Sequence, residues 1–137
     1  MIGSIGGTFH SLHEEHKNYI KTAFRFCDFV YIILTTDKYA QKKYALNPIE
    51  YRKYQLEKYL KSLKKKYKII EINSTKSLIK FMTNTNIDLV HIVHEYYPIM
   101  KLINNIRITK KLKPFLILIK ERMSISSTSL MENNNEM

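Results

Sequence analysis

The chain has 137 residues, 45% hydrophobic and 26% charged, the size and balance of one globular domain able to bury roughly two thirds of its unfolded surface. No stretch approaches the ~18 uninterrupted apolar residues of a membrane span, and the opening segment lacks a basic-then-apolar run with a small-residue cleavage site; the expectation is a cytoplasmic protein with no membrane partner. A formal charge of +11, from 23 Lys and Arg against 12 Asp and Glu, attracts polyanions without choosing among RNA, DNA, acidic lipid and phosphorylated small molecules.

Ile2 to Ile5 predicts a first strand. Gly6-Gly7 reads as a turn, and a helix is predicted to begin at Ser11, which stands at capping-box spacing from Glu14; Ile20, Ala23, Phe24 and Cys27 then share one face. Phe29 to Leu34 predicts the second strand. Asn47-Pro48-Ile49-Glu50 reads as an N-cap, a proline at the first helical position and a capping carboxylate, opening a helix with the stripe Ile49, Leu56, Leu60 and Leu63. Lys61 and the run Lys64 to Lys66 close that helix. Cations there suit the negative end of the helix dipole, so a solvated last turn is expected rather than a polyanion patch.

Tyr67 to Ile72 predicts the third strand, Lys76 to Met82 a short helix, and Leu89 to Val93 the fourth strand. A helix from near Pro98 is expected to bury Ile99, Leu102, Ile103 and Ile106, and Phe115 to Ile119 predicts the last strand. From Met123 the chain turns Ser- and Thr-rich, so one domain is expected over 1–131 and a disordered tail over 132–137. Strands alternating with helices predict an α/β, Rossmann-like three-layer sandwich, with a five-stranded parallel sheet and helices on both faces.

In such a sheet ligands bind at the carboxyl ends of the strands, near the point where strand order reverses, and the first strand-to-helix turn is the usual phosphate site. Gly6 to His16 occupies that turn. Glycines admit close approach of a ligand, a helix start offers free N–H groups and a positive dipole end, and His13 and His16 are spaced to share one side of the first turn. An anion suits this arrangement; the ordinary alternative is a glycine turn followed by histidines that cap or pack. No third ligand stands at zinc-like spacing, and Cys27 belongs to the apolar stripe, so no metal site built by the chain is expected. Tyr51, Tyr54 and Tyr59 read as covers for core edges, which makes nucleic acid the less favoured partner.

The stretch Ile5-Gly6-Gly7-Thr8-Phe9-His10-Ser11-Leu12-His13-Glu14-Glu15-His16 resembles the G-G-T-F-D-x-x-H-x-G-H signature of nucleotidyltransferases of the cytidylyltransferase-like superfamily. Ile125-Ser126-Ser127-Thr128-Ser129-Leu130 resembles their second signature, I-S-S-T-x-I-R. Between them the chain resembles the archaeal and eukaryotic type of phosphopantetheine adenylyltransferase at Leu34-Thr35-Thr36-Asp37, Lys42-Lys43, Pro48-Ile49-Glu50-Tyr51-Arg52, Ile103-Asn104, Arg107 and Leu112-Lys113-Pro114. The resemblance implies transfer of AMP from ATP to 4'-phosphopantetheine, giving dephospho-coenzyme A and pyrophosphate. Cytidylyltransfer to glycerol phosphate or choline phosphate, and adenylyltransfer to FMN, are the alternatives within the superfamily.

The resemblance also implies roles for residues. Gly6, Gly7, Thr8 and Phe9 would line the nucleotide, His13 and His16 would hold its triphosphate, and His13, His16 and Lys17 would carry catalysis. Ser126, Ser127, Thr128 and Arg107 would bind nucleotide phosphates, His10, Lys42 and Lys43 would face the acceptor, and Mg²⁺ would bridge the phosphates of the nucleotide. For each lysine or arginine the ordinary alternative is a solvated charge, and Arg52 reads as a partner for Glu50 or for solvent.

Three positions depart from the signatures: His10 stands for Asp, Glu15 for Gly and Met131 for Arg. Glu15 brings a carboxylate toward a polyphosphate site, where like charges ~4 Å apart repel by ~1 kcal/mol even in bulk water, unless it swings away or holds a cation. Met131 lacks the bidentate donor of an arginine. A nucleotide-binding protein with little catalysis is therefore the alternative of a different class, and the sequence leaves open whether the chain forms a homo-oligomer.

Overall fold

A computed structural model describes residues 1–40 and 47–120. The expectations for Lys42, Lys43, Ser126, Ser127, Thr128 and Met131, and for a tail from residue 132, lie outside the described residues.

Five strands form one parallel sheet: β1 (Ile2–Gly7), β2 (Phe29–Thr35), β3 (Lys66–Ile72), β4 (Leu89–Ile92) and β5 (Leu116–Ile119), in the order β3-β2-β1-β4-β5. β1 runs beside β2 from Ile2 opposite Phe29 to Gly7 opposite Leu34, and beside β4 at Gly3 opposite Leu89. The strand order thus reverses between β1 and β4. The helices are α1 (Glu14–Phe26), α2 (Asp37–Ala40), α3 (Ile49–Leu63), α4 (Thr75–Met82) and α5 (Tyr97–Thr109), with a 3-10 turn at His94–Tyr96 leading into α5.

The central strands of the sheet are buried on both faces, as the near-continuous apolar runs of β2 and β4 require. Val30, Ile32 and Leu34 of β2 pack with Ile20 and Ala23 of α1 and Leu56 and Leu60 of α3. The alternate residue Ile33 packs on the other side with Leu78 and Met82 of α4 and Met100 and Ile103 of α5. Ile20, Leu56, Leu60 and Ile103 have no solvent exposure, each burial stabilising by about 1.5–3 kcal/mol. The predicted three-layer α/β architecture is the one observed, and Lys61, Lys64, Lys65 and Lys66 are exposed as expected.

Several local expectations are corrected. Gly6 and Gly7 extend β1 instead of forming a turn, and neither has a positive φ. A Cβ on Gly6 would stand 3.3 Å from the Cβ of Ile33, so close packing on β2 already favours glycine there. α1 begins at Glu14 rather than Ser11, because Ser11 is used in a turn: its carbonyl accepts the His13 N–H at 3.1 Å and its hydroxyl meets His13 Nε2 at 2.7 Å. On α5, Leu102 is exposed while Met100, Ile103 and Arg107 face inward. Tyr51 and Tyr54 are exposed as well, on the outer side of α3, rather than covering a core edge.

Candidate active site

At the reversal between β1 and β4, a cleft of about 230 Å³ opens at the carboxyl end of the sheet. Its floor is the end of β1, Gly6, Gly7, Thr8 and Phe9, and one wall is the first turns of α1, with Glu15, His16 and Tyr19. The opposite wall comes from chain that leaves β4 and β5, at Val93, Tyr96 and Lys120. Topology places a ligand site of a doubly wound sheet here.

The floor is shaped by a backbone feature that the sequence does not announce. Phe9 has φ of 48°, a left-handed conformation that a bulky side chain adopts only when its surroundings impose it, and its ring is buried in the core next to α1. Among the described residues neither the Thr8 N–H nor the Phe9 N–H meets a backbone carbonyl, so both are available to an anion in the cleft.

Arg52 holds this loop from below. It has no solvent exposure, and its guanidinium donates to the carbonyls of Thr8 (2.7 Å), Thr35 (2.9 Å) and Asn47 (2.8 Å) and to Asp37 Oδ1 (2.5 Å). The ends of β1 and β2, the start of α2 and the approach to α3 are thereby tied to one side chain. The expected pairing with Glu50 or solvent is not what occurs. Arg52 lies four residues before Leu56 and three after Ile49, on the buried stripe of α3, and that register was the available signal.

His13 and His16 come together as their spacing predicts. Their rings stack with centroids 5.6 Å apart, and the His13 N–H donates to His16 Nδ1 at 3.3 Å. That N–H is shared with the Ser11 carbonyl at 3.1 Å; where Nδ1 accepts its share, Nε2 is the donor of the neutral His16 ring. His16 is half-buried on the cleft wall, and burial, with the neighbouring His13, lowers its pKa below the ordinary histidine value; the Ser11 carbonyl and Glu15 oppose that shift. His13 is exposed at the rim.

The remaining expected residues are placed elsewhere. Lys17 is one step past His16, a turn of 100° around the helix, and its ammonium lies 5.4 Å from the centre of the Tyr59 ring, in a separate groove against α3. A catalytic role beside the two histidines is therefore corrected. His10 is joined to Asn47, whose N–H donates to His10 Nδ1 at 3.3 Å and whose side-chain amide donates to the His10 carbonyl at 3.0 Å.

Arg107 is a second correction. It is buried at the amino end of the sheet and donates to the carbonyls of Met82 and Thr85 (both 2.8 Å), Lys113 (3.0 Å) and Ile87 (3.3 Å), with its guanidinium 5.2 Å over the Phe115 ring. Met82 ends α4, so the cation also meets the negative end of that helix. Its donors are spent on the fold, at the opposite end of the strands from the cleft, and it is neither a nucleotide anchor nor a solvated charge. Asn104 works beside it, exchanging two 2.9 Å hydrogen bonds with the Phe115 backbone.

Lys120 was missed altogether. It follows β5 directly, and its Nζ reaches Glu15 Oε2 at 3.0 Å across the cleft. Glu15 therefore holds a cation, the arrangement that answers its departure from the glycine of the signature. Among the described residues no three His, Cys, Asp or Glu side chains gather to hold a metal ion.

Known proteins resemble the chain over most of its length. Residues 4–133 match the sequence profile of the family described as Cytidylyltransferase-like. The chain is 32% identical over 123 residues to the phosphopantetheine adenylyltransferase of Methanosarcina acetivorans, covering 86% of this chain and 77% of that one. It is 34% identical over 135 residues to the phosphopantetheine adenylyltransferase of Thermococcus gammatolerans, covering 90% of this chain and 83% of the other. A crystal structure of a protein of unknown function from Archaeoglobus fulgidus superposes with a TM-score of 0.76 at 23% identity, over 95% of this chain and 96% of that one, which shows the shared fold.

Proposed function

Because the chain belongs to the cytidylyltransferase-like family, whose members it matches from β1 past β5, we propose that it transfers the adenylyl group of ATP to 4'-phosphopantetheine. The supporting observation is the cleft of about 230 Å³ at the strand-order reversal, which Thr8 and Phe9 with their free N–H groups, His16 and Lys120 line together, with His13 stacked on His16 outside it. Relatives about 30% identical over most of the chain carry the name of that activity, which favours phosphopantetheine over other phosphomonoesters.

The chemistry needs little from the protein beyond alignment and charge. A phosphate monoester has its second pKa near ~6, so at neutral pH the attacking oxygen is mostly ionised and requires no strong base. That oxygen attacks the α-phosphorus, the bond from the α-phosphorus to the bridging oxygen of the β-phosphate breaks, and pyrophosphate leaves with the electron pair. The Thr8 and Phe9 N–H groups face the α-phosphate, and His16 donates from Nε2 to the charge that develops on it. The nucleotide enters as its magnesium complex, which lowers the charge the residues must meet; on sequence grounds Ser126, Ser127 and Thr128 would contact its β- and γ-phosphates.

The test is pyrophosphate release from purified protein given MgATP or MgCTP with a panel of acceptors: phosphopantetheine, glycerol phosphate, choline phosphate and FMN. Release with ATP and phosphopantetheine alone is expected. Release with CTP or another acceptor transfers the chain to a sister activity, and none with any pair overturns the enzyme reading.

A further inference from the structure

Glu15 and Lys120 are 105 positions apart in the chain, and their 3.0 Å ion pair lies on the wall of the same cleft as Gly6, Gly7 and His16. The two side chains are not equivalent. Lys120 is anchored at its root, where its N–H continues the β4 to β5 pairing by donating to the Ile92 carbonyl at 2.6 Å, and its side chain is only 20% exposed. Glu15 projects from the first turn of α1 with 50% of its side chain exposed.

A partly desolvated ammonium on the wall of an anion site needs an anion, and here the chain provides one. We propose that Glu15 is a tethered competitor for polyphosphate: it occupies Lys120 while the cleft is free of nucleotide and yields Lys120 to the phosphates when nucleotide binds. This rests on the triphosphate reading of the cleft given above. The exchange moves the carboxylate and leaves the ammonium in place, since Glu15 is the exposed and flexible partner.

Release of Glu15 is undemanding. A half-exposed ion pair contributes little to folding, and in the first turn of α1 the freed carboxylate keeps both water and the positive end of the helix dipole. With the pair closed, the two charges cancel and attract nothing; with it open, Lys120 adds a full positive charge to a cleft otherwise furnished with neutral N–H donors and His16. A glycine at this position would leave Lys120 permanently available. Glu15 therefore sets the nucleotide affinity of this chain below what its cleft would otherwise reach.

Calorimetric titration with MgATP and with inorganic tripolyphosphate, on wild type, Glu15→Gln, Lys120→Ala and the double variant, tests the exchange. Glu15→Gln keeps the shape and removes the charge, so Kd for both ligands is expected to fall about fivefold. Lys120→Ala is expected to raise Kd about tenfold when introduced into Glu15→Gln, and by less in wild type, where Lys120 is partly occupied. An unchanged Kd in Glu15→Gln makes the pair inert and overturns the proposal. A raised Kd overturns it too, because Glu15 would then be aiming Lys120 at the phosphates. Wild type that binds neither ligand removes the triphosphate site itself, whereas wild type that binds both with an unaltered Glu15→Gln removes only the competition.

Discussion

Arg52 meets Asp37 at 2.5 Å from a position without solvent exposure, while Asp37 keeps half of its side chain in water. The pair is therefore unequal: water reaches Asp37, whereas the Arg52 side chain that also serves the Thr8 and Thr35 carbonyls is closed to it. Arg52→Lys removes the planar fork that serves all four acceptors. It should cost about 3 kcal/mol or more in urea unfolding and weaken nucleotide binding, since Thr8 and the left-handed Phe9 lose their support. A loss under about 1 kcal/mol would show that the carbonyls find other donors.

Arg107 should separate stability from binding. Replacing it with Met leaves the Met82, Thr85 and Ile87 carbonyls without their donor, and a loss of about 3 kcal/mol in folding is expected. KM for ATP should stay within about twofold in the folded protein, because the residue lies at the far end of the strands. A raised KM with stability intact would restore it to the nucleotide site.

Acid should weaken the fold through two histidines. His91 is buried on β4 beside Tyr19, whose hydroxyl donates to the His91 carbonyl, and its Nδ1 has no partner among the described residues. Burial, reinforced by the Lys120 charge and opposed by the Tyr19 backbone, lowers its pKa, and His16 is shifted the same way. Unfolded histidine takes its proton near ~6.5, so below that pH the unfolded chain binds more protons than the folded one and stability falls as pH falls. Thermal melts from pH 7.5 to 5 should show this loss, and His91→Phe should flatten it. An identical slope in the variant would assign the acid sensitivity elsewhere.

His16 is the residue expected to steady the transition state. His16→Ala should reduce kcat by a factor of ~100 or more, as the loss of an oxyanion donor does. Its lowered pKa leaves it neutral in the free cleft, and a polyanion there favours the protonated ring, so nucleotide should bind with proton uptake and more tightly as pH falls toward that pKa. Titrations in buffers of different ionisation enthalpy measure the uptake, which should shrink in His16→Ala.

Much of this molecule is legible in its sequence, for reasons that particular residues make plain. The β-branched runs of β2 and β4 announce strands buried on both faces, and the three-residue spacing of His13 and His16 brings their rings together. Ser11 misled because a hydroxyl suited to cap a helix also suits a turn, and the nearby His13 ring gave it a partner before the helix began. Arg52 and Arg107 were misread because arginine is ordinarily a surface residue; both sit on the apolar stripes of their helices, where backbone carbonyls consume the charge. Lys120 could not be found at all, since nothing local distinguishes it from the other lysines and its partner Glu15 is supplied by the tertiary fold.

The central claim is adenylyl transfer, and the most direct measurement follows the phosphorus atom. Protein incubated with magnesium and ATP labelled at the α-phosphate, together with unlabelled phosphopantetheine, should move the label into dephospho-coenzyme A while unlabelled pyrophosphate accumulates, and His16→Ala should suppress both. Label that stays in ATP with wild-type protein, under conditions where calorimetry shows the nucleotide bound, would contradict it.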